Sequence, residues 1–310
     1  MIQIDISPNT IENFTKQVLA NFFDKGGKRK NFEKNEKKMK WQITLDQLNT
    51  LIQNKLKGYK SDITLEKLIT LSYDELCELK EFIDNNQTTK LKTKNEKDYF
   101  YTLYSRLKKA DYIKDIGITV CPYCNRNYIF NFQKKSSLEA TAQLDHFFDK
   151  STYPYFAVSI YNLVPSCSTC NQRKSKKSNE IYYPFIESFD KDLKFKLKIE
   201  NSGFYYDKNA IKIEKKIINN DKKVNSHIET FNIENLYNEH KDIVLELIQK
   251  AEIYNDSYID ELMQKYEGTL FKNREDLMRL ITCGYITDEE INKRPLSKLI
   301  KDISEELGLV

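Results

Sequence analysis

The chain has 310 residues, of which 40% are hydrophobic and 31% charged, so it is long enough and apolar enough to bury a sizeable core. A net charge of +4 is too small to indicate a nucleic-acid-binding protein by itself. The start MIQIDISPNTIENF lacks the apolar stretch of a signal peptide, and no run resembles a membrane span, so we expect a cytoplasmic protein without membrane partners.

Glycine (8 residues) and proline (6 residues) are scarce, which favours long helices over tight turns. We therefore expect an α+β fold, mostly α, in which a small core is flanked by helical regions. Residues 1–115 are the first region, where IENFTKQVLANFF has apolar residues three and four apart and Ser72-Tyr-Asp-Glu75 is a capping box. The polar stretch 85–97 predicts a loop, and residues 98–113 predict a helix leading to the core.

Positive charge is concentrated in two segments. Residues 25–40 contain eight Lys or Arg and two acidic residues. Residues 121–178 contain eight Lys or Arg and three acidic residues. Such runs are often only a solvated surface. Next to a cysteine cluster of the metal-binding type, they instead favour nucleic acid as a partner.

Residues 116–185 have a different composition, and short runs such as NYIFNF and TAQLDHF predict strands. Two CxxC turns, Cys121-Pro-Tyr-Cys124 and Cys167-Ser-Thr-Cys170, are separated by 42 residues. Each turn can direct two thiolates at one ion, and together they complete the tetrahedral site that structural zinc (Zn²⁺) prefers. The alternative is a thioredoxin-like redox pair, which needs one CxxC at a helix start rather than two.

Polar residues lie between and just after these turns: Asp145-His146, Asn162 and Asn171. Phosphodiester hydrolysis needs a base to activate water and a positive charge to stabilise the phosphate. A histidine with a pKa near neutrality suits the first task, and His146 is the histidine in this segment. Oxygen ligands from Asp145 and Asn171 suit Mg²⁺ or Mn²⁺ better than zinc.

The motifs CPYC, LDHF, YNLVPSCSTCN and RK, in this order, resemble the HNH endonucleases of the ββα-metal superfamily over about sixty residues. The resemblance implies that residues 116–185 form an HNH core in which His146 is the general base. Asp145 and Asn171 would hold the catalytic ion, and Asn162 would hold the loop that carries the base through backbone hydrogen bonds. The family places the Asp145–His146 pair at a strand end, where both can approach one phosphate.

Asn171 stands where the family has its last histidine, which favours a hard ion. Arg173 and Lys174 follow on the same predicted helix and could bind the phosphates of a substrate. Lys176 and Lys177 are as readily explained as solvated side chains.

Residues 186–310 return to a charge-rich, mainly helical pattern. Residues 194–216 predict a hairpin, and residues 235–254 predict one amphipathic helix with His240 on its apolar stripe. His227 falls in a polar connector. Thr287-Asp-Glu-Glu290 is a second capping box, expected to open the C-terminal helices.

The nuclease-like segment together with FNIENLYNEHKDIVLELIQKA resembles bacterial HNH proteins of anti-phage defence, in Septu systems and retron-linked modules, where the nuclease acts with an ATPase. This resemblance implies an effector nuclease that cleaves DNA more than RNA and whose helical flanks dock an ATPase partner. The alternatives are a stand-alone restriction-type nuclease, a zinc-stapled nucleic-acid-binding module without catalysis, and an adaptor protein.

Overall fold

About half of the chain is helical in the computed structural model, which describes residues 3–28, 43–175, 181–219 and 222–310. Its β structure consists of small antiparallel pairs of strands. The expected α+β class with a helical majority is therefore confirmed. No helix in the described ranges is long and apolar enough to cross a membrane.

Among the described residues, six α-helices precede the cysteine segment: α1 (Pro8–Phe22), α2 (Leu45–Lys55), α3 (Leu65–Thr70), α4 (Tyr73–Asn85), α5 (Lys94–Ser105) and α6 (Lys109–Ile116). The capping box at Ser72 is present and starts α4. The single helix expected over 98–113 is instead two, because Lys108 leaves the helical region with ψ 81°. Most of the basic run 25–40 lies outside the described residues, which resume at position 43.

The middle segment contains two hairpin-like pairs and a helix: β1 (Asn131–Lys134), β2 (Ser137–Ala140), β3 (Gln143–His146), β4 (Leu163–Ser166) and α7 (Ser168–Lys174). Strand β1 pairs with β2, and β3 pairs with β4, both antiparallel. Helix α7 follows β4 after one residue and packs against β3. The last strand residue of β3 is His146, so the Asp145–His146 pair lies at a strand end.

The C-terminal region begins with the predicted hairpin and continues with helices: β5 (Leu193–Ile199), β6 (Ile211–Ile217), α8 (Lys222–Phe231), α9 (Ile233–Asn238), α10 (Lys241–Ile253), α11 (Asp256–Tyr266), α12 (Arg274–Thr282) and α13 (Ser297–Glu306). The single helix predicted over 235–254 is wrong, because the backbone at His240 (ψ 30°) separates α9 from α10. Thr287 caps no helix: α13 begins after Pro295, which disfavours a helical residue before it.

The C-terminal region holds the first CxxC turn in place through hydrogen bonds. Leu296 N donates to Asn125 O over 2.7 Å, and Tyr237 Oη donates to Cys124 O over 2.7 Å. His227 lies on α8 and is buried, not in a polar connector, and its Nε2 is 2.8 Å from Tyr123 O. The cysteine segment is thus packed between helices from both ends of the chain.

Candidate active site and candidate metal site

Four buried cysteines come together from the two CxxC turns. The sulfur atoms of Cys121, Cys124, Cys167 and Cys170 all lie within 4.8 Å of one another. The first pair lies in the turn before β1, and the second pair lies at the start of α7. This cluster could bind a metal ion such as zinc.

Hydrogen bonds to sulfur support the cluster. Cys167 N donates to Cys121 Sγ over 3.3 Å, and Asn127 Nδ2 donates to Cys167 Sγ over 3.3 Å. Burial raises the pKa of the Cys121 thiol, because an ionised sulfur loses its hydration there. A bound cation would offset that penalty and so favour the ionised form of Cys121.

A second site lies beside this cluster, in a cavity of about 320 Å³. It is lined by residues of β3, by Tyr104 of α5, by Asp149 and Lys150 from the loop after β3, and by the exposed side of α7. Asp145, His146 and Asn171 all line this cavity. The fold therefore brings three of the four expected polar site residues to one opening.

His146 is held in one ring orientation by the backbone. Its Nε2 lies 3.0 Å from Ala157 O, and because a carbonyl can only accept, Nε2 must carry the hydrogen. In the neutral ring, Nδ1 then keeps the lone pair. Burial, followed by the charge of Lys150, lowers the His146 pKa to about 3. The imidazole is therefore neutral at physiological pH, and its pKa lies below the near-neutral value on which its assignment as a base from the sequence depends.

Asp145 forms a buried ion pair with Lys174. Lys174 Nζ lies 3.1 Å from Asp145 Oδ2, and it also donates to the carbonyls of His146 and Phe147 over 3.0 Å each. Tyr123 Oη donates to the same Oδ2 over 2.7 Å. Burial raises the pKa of Asp145 and lowers that of Lys174, while their mutual attraction opposes both shifts.

The ion pair differs from the phosphate contact expected for Lys174. Its side chain is fully buried, with all its described partners inside the protein, so it is a structural partner of β3 and not a surface cation. Arg173, the neighbouring residue on α7, is exposed and remains available to a phosphate. Lys176 and Lys177 lie outside the described residues.

Asn162 lies behind the cavity and is fully buried. Its Oδ1 accepts from Phe148 N over 2.7 Å, and its Nδ2 donates to Phe148 O and Phe156 O over 3.1 and 3.0 Å. These are backbone contacts of the kind that the resemblance implies for Asn162. They fix the start of the loop that follows His146, and any effect of Asn162 on catalysis stays a prediction.

Asn171 is oriented by a neighbour on β3. Its Nδ2 donates to Gln143 Oε1 over 2.7 Å. The donor end of the amide is therefore engaged, and Oδ1 is the atom able to bind a cation. Asn171 lies on the first half of α7, one residue after Cys170, so the cysteine cluster and the cavity share one helix.

Two lysines that the sequence did not single out flank the cavity. Lys109 Nζ and Lys150 Nζ each lie 4.3 Å from the centre of the Tyr104 ring, and the ring edge of Tyr104 packs against His146. Burial lowers the pKa of both lysines. Neither forms an ion pair with a carboxylate in the part of the chain that the structure describes. The cavity therefore has two cations beside it, Lys109 and Lys150, together with the carboxylate of Asp149, which lines the cavity and whose charge acts on Lys150.

Comparison with known proteins gives little that bears on function. No protein-family model matches the chain, and no solved structure matches it. The chain is similar to Protein ea31 of Escherichia phage lambda, with 30% identity over 112 residues, which cover 34% of this chain and 34% of that protein. The chain thus matches about a third of the length of this curated relative, which identifies neither a family nor an activity.

Proposed function

We propose that the chain is a metal-dependent endonuclease of the HNH type that hydrolyses phosphodiester bonds, in DNA more than in RNA. The observation that carries the proposal is the cavity that places His146, Asp145 and Asn171 together beside the four-cysteine cluster. A module that only bound nucleic acid would need the cysteines but not a neutral, oriented histidine at a polar opening.

In this proposal, His146 is the general base. Nδ1 accepts a proton from the attacking water, while the hydrogen bond from Nε2 to Ala157 O keeps the ring in one tautomer. The low pKa keeps the imidazole unprotonated over the physiological range, and it also makes the ring a weaker base than a histidine of ordinary pKa. Asn162 acts through position, because it fixes the backbone at Phe148, two residues after the base.

The donor atoms present fit two kinds of ion. Four sulfurs suit a closed structural zinc site, which leaves no position for water and so does no chemistry. At the cavity, the donors are oxygens of Asp145 and Asn171, which suit Mg²⁺ or Mn²⁺. Asp145 already accepts hydrogen bonds from Tyr123 Oη and Lys174 Nζ, so only part of its carboxylate is left for a cation. Such an ion, when bound, stabilises negative charge on the phosphate and the leaving oxygen.

Lys109 and Lys150 supply the remaining positive charge. Lys150 is partly buried and Lys109 is exposed, and both lie close enough to His146 for their charges to act on it. Exposed Arg173 extends the same positive field along α7. The wider role, as an anti-phage effector with an ATPase partner or as a stand-alone restriction-type nuclease, rests on the sequence resemblance alone and stays a prediction.

The test is nicking of supercoiled plasmid, with total RNA as a second substrate, in Mg²⁺ or Mn²⁺. We expect His146→Ala to lose about 10²- to 10⁴-fold in rate, as for removal of a general base, and His240→Ala, a half-buried histidine far along the chain, to cut normally. Equal cleavage by His146→Ala and the parent would refute the assignment of the base. If the parent binds DNA but cuts neither substrate, the binding-module alternative is correct.

A further inference from the structure

Three aromatic rings form an exposed row on the β1–β2 hairpin. Tyr128, Phe130 and Phe132 are exposed by 45%, 44% and 45%, whereas Ile129 between the first two is 1% exposed. This alternation is that of an extended chain, so the three rings lie on one face. We call these three residues the aromatic row.

The aromatic row is an ordered feature. The rings of Tyr128 and Phe130 are stacked, with centroids 4.4 Å apart and planes 24° apart. Phe130 is fixed opposite Thr141, whose Oγ1 accepts from Phe130 N over 2.8 Å, and Phe132 lies opposite Glu139. Helix α6 packs against the hairpin, yet the rings of the row remain in solvent. Burial in the core therefore does not explain them.

The position of the row relative to the cavity indicates what could cover it. Strand β2 leads through Thr141 and Ala142 into β3, so Asp145 lies four positions along the chain from Thr141, the partner of Phe130. Lys109, which lines one side of the cavity's approach, lies on α6, the helix packed against the hairpin. Lys134 continues the exposed face beyond Phe132 and pairs with Glu139 over 3.2 Å, and Lys135 follows in the turn. The cations near the row are therefore Lys135, at the turn of the hairpin, and Lys109, on the helix that packs against the hairpin.

We propose that the aromatic row is a stacking platform for unpaired bases of the nucleic acid that enters the cavity. Exposed rings spaced along a positively charged path bind single strands, because every base has a flat face that can stack, whatever its sequence. Bases of an intact duplex are already stacked on each other and cannot use the row. The substrate is therefore single-stranded or locally melted nucleic acid. This inference rests on the proposed nuclease function and names its substrate class.

The test measures binding without cleavage, so that it does not depend on activity. All proteins carry His146→Ala, no divalent ion is added, and fluorescence anisotropy follows labelled oligo-dT, oligo-U and a duplex of equal length. The test variant is Phe130→Ala with Phe132→Ala. The matched control is Tyr206→Ala, which removes a ring that is 79% exposed near the other hairpin. Circular dichroism verifies that each variant is folded, and Phe130→Trp keeps a stacking surface.

We expect the double variant to bind single strands about 5- to 150-fold more weakly for each base that loses its ring. Tyr206→Ala and Phe130→Trp should bind as the parent does, and duplex affinity should change much less. Unchanged single-strand affinity in the double variant, or an equal loss for duplex, overturns the proposal, and the row is then a contact for another protein. If the chain with His146 intact does not cleave nucleic acid but this binding pattern is observed, the nuclease function is refuted and the stacking platform is not.

Discussion

The buried pair between Lys174 and Asp145 gives the sharpest prediction for stability. Lys174→Met keeps the length and apolar volume of the side chain but removes its charge. Asp145 would then remain buried with only the hydroxyl of Tyr123, and the carbonyls of His146 and Phe147 would lose a donor. Asp145 borders the cavity but is only 3% exposed, and the two carbonyls belong to buried residues, so water replaces the lost partner only in part.

The magnitude follows from that geometry. Removing one partner of a buried ion pair costs about 3–5 kcal/mol, because the other charge stays buried without compensation. A typical domain has about 5–15 kcal/mol of unfolding free energy in total, so this single change should remove a large share of it. The double variant Asp145→Asn with Lys174→Met leaves no unpaired charge. We therefore expect it to be destabilised by less than the sum of the single changes, with an interaction energy of about 1–3 kcal/mol.

Urea unfolding followed by far-ultraviolet circular dichroism measures these free energies. The matched control is Arg173→Met, which makes the same kind of change at the exposed neighbour on α7 and should stay within about 0.5 kcal/mol of the parent. If Lys174→Met costs less than about 1 kcal/mol, or if the two single changes are additive, the pair is not the electrostatic link that the structure indicates.

Three further predictions concern the cysteine cluster, the loop after the base, and pH. Cys167→Ser should reduce the bound metal, measured by atomic emission, from one ion per chain towards zero, and it should lower the midpoint temperature of thermal unfolding. Full retention of the metal would show that the cysteine cluster is not the metal site. Asn162→Ala should cost about 1–3 kcal/mol of unfolding free energy, since it leaves Phe148 N buried and unpaired. It should also slow nicking while the metal content stays unchanged. An unchanged nicking rate would exclude a positioning role for Asn162. Burial lowers the His227 pKa to about 3, so below pH 6.5 only the unfolded chain takes up this proton, and stability should fall by about 3 kcal/mol at pH 4.5. His227→Gln can keep the hydrogen bond to Tyr123 O, and in pH-dependent urea unfolding it should lose correspondingly less stability at acid pH. If the variant loses as much stability as the parent, other groups cause the acid destabilisation.

The cysteine spacing and the capping signals could be interpreted from the sequence because they are local. Two CxxC turns predict converging sulfurs whatever lies between them, and Ser72 reaches only to Glu75 to start its helix. The same rule failed at Thr287, where Pro295 downstream delays the helix until Ser297. At His240 the apolar stripe continues through a backbone break, so periodicity alone predicted one helix where there are two.

The electrostatics of the cavity depend on tertiary packing and could not be predicted in this way. Lys109 belongs to a helix far from His146 in the sequence, and only the docking of that helix on the strands brings its charge to the base. Lys174 was expected to bind substrate phosphates because it follows Asn171 on the same predicted helix. It is buried because α7 packs against β3 and turns that residue towards Asp145. A run of charges does not show which of its members faces inward.

The central claim is that His146 is the base of a nuclease, and chemical rescue tests it most directly. The single-turnover nicking rate of His146→Gly is measured in Mg²⁺ with increasing imidazole, alongside the parent and a Phe148→Gly control. The cavity of about 320 Å³ has room for the added ring. We predict that His146→Gly is nearly inactive without imidazole and that its nicking rate rises in proportion to the imidazole concentration. Imidazole should not raise the nicking rate of the parent or of the control. Parental activity in His146→Gly without imidazole would contradict the account.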